Sequence, residues 1–107
     1  MPSGRLAKSN PAAETITTVY TSPANTYVVC TAAMLNYGDS TTTFRLSILE
    51  SANSTPSVSD FIEYDTVITS KNVIERSGIV IGNGQKIAVS SPTSSLIVNV
   101  FGIETTQ

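Results

Sequence analysis

The densest set of side chains capable of chemistry is Asp60-Phe61-Ile62-Glu63-Tyr64-Asp65. On an extended strand Glu63 and Asp65 share a face, and paired carboxylates can move protons or hold a calcium ion. The sequence assembles neither a calcium loop nor a glycosidase pair around them. The plainer expectation is a solvated or ion-paired strand face, opposite Arg76 or Lys71 or meeting basic residues of a neighbouring subunit.

Other chemistries lack their parts. The chain has no histidine and one cysteine, so Ser-His-Asp and Cys-His nucleophilic sites are excluded and a zinc site has too few ligands. Cys30 lies in the apolar run Tyr27 to Met34 and reads as a small buried hydrophobe. Gly78, Gly82 and Gly84 open no helix and precede no Lys-Ser/Thr pair, so they are turn and bulge glycines and not a phosphate cradle. Tyr20, Tyr27, Tyr37 and Tyr64 are too scattered for a base-stacking platform. The expectation is a protein that is not an enzyme, with no catalytic, cofactor-binding or metal-binding residues.

The elements that would carry these residues are short and β-type. Strands are expected over 14–20, 26–36, 41–50, 61–68, 73–81, 85–90 and 96–103, separated by Pro, Gly, Asn and Ser clusters. Residues 26–36 are apolar at nearly every position, as for a strand buried on both faces. Residues 41–50 alternate instead, with Phe44, Leu46 and Ile48 on one side and Thr43, Arg45 and Ser47 on the other. Asn83-Gly84 marks a hairpin turn. Seven strands without a helical period predict an all-β fold, a single antiparallel β-sandwich that is Ig-like or jelly-roll-like. Residues 1–13 read as an extended N-terminal arm and residues 14–107 as the sandwich domain.

Length and charge narrow the partners. The 107 residues suit one domain, and the charged fraction of 13% is about half that of an ordinary soluble protein. A polar but weakly charged surface meets other proteins with little desolvation cost. The six basic residues form no run and the net charge is −2, which argues against nucleic acid and against an anionic membrane. No stretch approaches the roughly 20 apolar residues of a membrane span. The opening residues carry no apolar signal segment, so a cytoplasmic place of assembly is expected.

Several segments together resemble a family of small phage virion proteins, common in cyanophages and related phages. They are Gly4-Arg5-Leu6-Ala7, Tyr20-Thr21-Ser22-Pro23-Ala24, Asn36-Tyr37-Gly38-Asp39-Ser40, Asp60 to Asp65, Asn72 to Val80, and Val98 to Glu104. The resemblance implies a β-sandwich virion component located in the particle and assembled in the host cytoplasm. Its implied role is a capsid decoration or cement protein bound to the major capsid protein, or alternatively a tail, neck or fibre module or host-glycan adhesin. Homo-oligomerisation, with three copies around a lattice axis, is the matching expectation. Candidate protein-contact residues are Arg5 and Leu6 on the arm, and Glu63, Asp65 and Arg76 on the strands. Cys30 and the Ser/Thr-rich loop Ser51 to Ser59 depart from the family pattern.

Overall fold

In the computed structural model, which describes residues 3–106, the seven expected strands form almost where the sequence places them. An eighth precedes them. The strands are β1 (Ser3–Ser9), β2 (Thr17–Thr21), β3 (Thr26–Asn36), β4 (Thr42–Leu49), β5 (Phe61–Ile68), β6 (Val73–Ile81), β7 (Lys86–Ser90) and β8 (Leu96–Thr106), with a 3-10 turn at Val58–Asp60. They pair antiparallel in two four-stranded sheets, ordered β1-β8-β3-β6 and β2-β7-β4-β5. The first strand therefore pairs with the last, the second with the seventh, and so inward, which is the connectivity of a jelly roll.

β1 corrects the expected arm. Ser3–Ser9 pairs with β8 from Ser3↔Ile103 to Ser9↔Val98, with a bulge at Leu6. Leu6 and Ala7 pack against the core. The segment SGRLAKS has no β-branched residue and no clear alternation, so its extended shape is templated by the free edge of β8 and not by local preference. Met1 and Pro2, the rest of the expected arm's start, lie outside the described residues. The connector to the second sheet is pinned by the Asn10 side-chain amide, which donates to the Ser94 and Leu96 carbonyls at 2.9 and 2.7 Å. The Glu14 N–H donates to the Ser91 carbonyl at 2.8 Å. Glu14 itself takes φ 58°, so β2 starts at Thr17 and not at residue 14.

The core lies between the sheets. Val28, Ala32, Met34, Leu96, Val98 and Val100 of the first sheet meet Phe44, Leu46, Ile68, Ile87 and Val89 of the second. Full burial of each large side chain contributes roughly 1.5–3 kcal/mol. Buried Asn36 ties the β3–β4 turn to the end of β5: its amide donates to the Ser40 and Ile68 carbonyls, and its oxygen accepts from the Gly38 N–H. At the opposite end the Tyr20 hydroxyl donates to the Glu104 carboxylate, joining β2 of one sheet to β8 of the other. Burial, reinforced by that carboxylate, holds the Tyr20 hydroxyl far above its ordinary range.

β3 and β8 form an unbroken ladder from Thr26↔Thr106 to Asn36↔Leu96. Gly102 sits opposite Cys30 in it, and a Cβ on Gly102 would fall 2.8 Å from the Cys30 Cα and 2.7 Å from its Cβ. The glycine is required by space, not by dihedral angle. Gly102→Ala is expected to destabilise the fold by about 3 kcal/mol, roughly 10–20 °C in Tm. Gly82→Ala, whose new methyl meets only the Gln85 side chain at 3.9 Å, is the thermal-melt control and should stay near wild type.

Cys30 is buried, as its apolar setting suggests, and burial pushes its thiol from 9.0 up to about 11. The folded state therefore holds this proton more tightly than the unfolded chain. Its contribution is complete below pH 9 and is lost as pH rises toward 11, by roughly 2–3 kcal/mol. Denaturant titrations between pH 8 and 10 should show this slope begin in wild type and vanish in Cys30→Ala. The Tyr20 hydroxyl, also raised, adds to the loss only above its ordinary 10.0.

Candidate functional site

The two sheets treat their outer faces differently. In the second sheet Ser47, Leu49 and Ala88 lie on the side away from the core, yet all three are buried. Leu49 and Ala88 are not part of the central core. The segment over 50–60 folds back across that side, with the Lys86 ammonium donating to the Asn53 carbonyl at 2.7 Å and the Gln85 amide to Glu50 at 3.0 Å.

Among the described residues, no segment covers the outer face of the first sheet in this way. Burial along β3 alternates strictly at its start, so the strand is enclosed on one side only, not on both as its composition suggests. Val80 of β6, Val29 of β3 and Ile103 of β8 are direct cross-strand neighbours in one row. Phe101, paired with Thr31 and Arg5, and Tyr27, paired with Thr105, extend the row on either side. These five side chains are between 38% and 64% exposed. A second row, Val73-Leu35-Ile97, crosses the far end of the same face. A contiguous apolar surface on a three-strand platform is the form of a protein-docking face, since isolated surface hydrophobes need no explanation but rows of them do.

The sequence-derived contact residues do not form one cluster, although Glu63 and Arg76 pair as the sequence suggests. Arg5 and Leu6 lie on β1, at one edge of the first sheet, where the Arg5 guanidinium reaches the Asn99 side chain at 3.5 Å. Leu6 is half-buried against the core. Glu63 and Arg76 lie at the opposite edge, where β5 of one sheet faces β6 of the other, and pair at 3.0 Å. The Thr66 hydroxyl also donates to Glu63 at 2.7 Å.

Asp65 lies on the same edge strand as Glu63 but faces the other way. A bulge in β5 sets Leu46 opposite Glu63 and Phe44 opposite Thr66, leaving Tyr64 and Asp65 together across from Arg45. Asp65 takes φ 51° to do so. Glu63 therefore turns toward the core side while Asp65 turns outward, which corrects the expectation that they share a face: an added residue breaks the period of two. Arg45 grips Asp65 through Nε at 2.7 Å and Nη2 at 3.2 Å, and its guanidinium lies 4.1 Å over the Tyr64 ring. The hydrogen bond from Arg45 holds the Asp65 carboxyl below its ordinary range. Tyr64 meets Phe61 edge to face at 5.0 Å.

Tyr27, Val29, Val80, Phe101 and Ile103 were not singled out by the sequence motifs. The apolar content of both faces of 26–36 is a signal for Tyr27 and Val29, while Val80 and Ile103 join them only through strand pairing and Phe101 lies farther along β8 on the same face. Comparison with models of known families, with characterised proteins and with solved structures finds no match to this chain.

The Glu63 side chain is only 15% exposed, so removing its partner strands a half-buried charge. Arg76→Ala is expected to cost about 1–2 kcal/mol in denaturant unfolding, and Glu63→Gln in the same chain should recover part of it.

Proposed function

We propose that this chain is a non-catalytic structural protein of a phage particle, a decoration or cement protein that binds the major capsid protein through the outer face of its first sheet. The observation that carries the docking reading is the open row Val80-Val29-Ile103 with Phe101 and Tyr27 beside it. A strand whose sequence is apolar on both sides but covered on one lacks a partner surface. The low charge of the chain favours a protein partner, because few charges must be desolvated on contact.

The particle reading rests on the resemblance of the segments quoted above to small virion proteins and, as a fold-level analogy, on the use of jelly rolls in viral shells. The physical logic is multiplicity: one small face contributes modest affinity, and repetition on a symmetric lattice multiplies it. Copies clustering in threes around a lattice axis would place their sheet edges within pairing distance of one another.

Quantitative mass spectrometry of purified virions tests both halves. Wild-type chain is expected at a copy number matching the shell lattice, and Ile103→Lys chain is expected to fold normally but to be missing from particles. A handful of copies per particle would move the protein to the tail or neck. Normal loading of Ile103→Lys would remove the docking face.

A further inference from the structure

The outer side of the second sheet carries a groove that the docking face does not use. It is about 370 Å³, within the range of small-molecule sites. It is walled by Ile16, Phe61 and Pro92 and floored by Thr43 and Ser90, with Arg45, Asp65 and Glu14 supplying charge. We propose that this groove binds a neutral saccharide, reading a vicinal pair of hydroxyls with Arg45 and Asp65 while the sugar's C–H face rests on Phe61.

The pair is built for that chemistry. Two of the three guanidinium nitrogens hold Asp65, and Arg45 Nη1 makes no hydrogen bond among the described residues. Asp65 keeps acceptor capacity because each carboxylate oxygen has more than one lone-pair site. Nη2 keeps a second N–H beside its bond to Asp65 Oδ2, so a free donor and an acceptor lie side by side, 3.2 Å apart. Adjacent sugar hydroxyls match this spacing: one donates to the carboxylate while its neighbour accepts from the guanidinium.

Both side chains are held open to solvent, at 40% and 52% exposure, yet fixed in direction. Tyr64 lies under the guanidinium and props Phe61 edge-on, so the ring wall and the ion pair form one rigid unit. Little conformational freedom is left to lose on binding.

Charge selects the ligand class. Two carboxylates against one guanidinium disfavour a phosphate or carboxylate ligand. Asp65 is already neutralised by Arg45, leaving only Glu14 to attract a cation. A neutral polyol uses every group in the groove, including the Thr43 and Ser90 hydroxyls. Asp65 and Glu14 both sit at positive φ, at 51° and 58°, so the backbone departs from its ordinary range at both acidic residues of the groove. The site lies on the side of the sandwich away from the docking face, and it stands whether or not that face binds a shell.

The test is a ¹H–¹⁵N correlation titration of the full chain with methyl α-glucoside, methyl α-mannoside and methyl β-galactoside, with L-arginine amide as the cationic arm. At least one glycoside should shift the amides of Thr43, Arg45, Phe61 and Asp65 saturably, with a millimolar Kd. Arg45→Gln should weaken binding at least about tenfold, and Asp65→Asn, which keeps a side chain suited to positive φ, should do the same. Val80→Lys, on the other face, should bind as wild type. The spectra report folding of each variant directly. The proposal fails if none of the three glycosides shifts these amides, if Arg45→Gln binds as wild type, or if only L-arginine amide binds.

Discussion

The fold depends on the ladder between β3 and β8, the longest among the described residues and unbroken by any bulge. Both strands are central in the first sheet, so each must be paired on two sides. β8 supplies the edge on which β1 forms, and β3 supplies the edge for β6. Within that ladder, Gly102 leaves no room for a Cβ against Cys30. Because the first strand pairs with the last, the chain is closed only when its two ends meet, and the loop-closure entropy of nearly the whole chain opposes that step.

From that platform the two outer faces diverge. The second sheet keeps a long connection between β4 and β5 and uses it as cover, burying Ser47, Leu49 and Ala88. Every connection around the first sheet either crosses to the other layer or turns tightly, leaving no spare chain to lie over Val29, Val80 and Ile103. The exposed row is thus a consequence of topology as much as of composition. Among the described residues, no segment lies over it.

Ion pairs divide along the same lines. Glu63 and Arg76 fasten the open side of the sandwich where the two sheet edges meet, and the low exposure of Glu63 makes that pair structural. Arg45 and Asp65 fasten nothing across sheets; they are exposed, rigid and set in a groove. Isolated surface pairs contribute little stability, so the bulge and strained backbone that create this one stand without a stability rationale.

Much of the fold was legible in the residues. β-branched runs, the alternation of Phe44, Leu46 and Ile48, and the turn chemistry around Pro23, Gly38 and Asn83 determined seven strands and the all-β class, because each is a local preference. The hairpin expected at Asn83-Gly84 is instead a crossing between sheets, since β6 pairs with β3 and β7 with β2 and β4: turn residues set a reversal, not its pairing. The buried state of Cys30 was legible from its apolar neighbours. Other features were not local. Ser3–Ser9 became a strand only because β8 offered an edge, and the eighth strand completed the jelly-roll order. The bulge that parts Glu63 from Asp65 arises from fitting β5 to β4, a register that no single strand encodes. The sequence by itself determined which segments are extended and that 26–36 is apolar on both sides. Only the tertiary structure decided which of those sides is covered, because burial is a property of what packs above a strand and not of the strand.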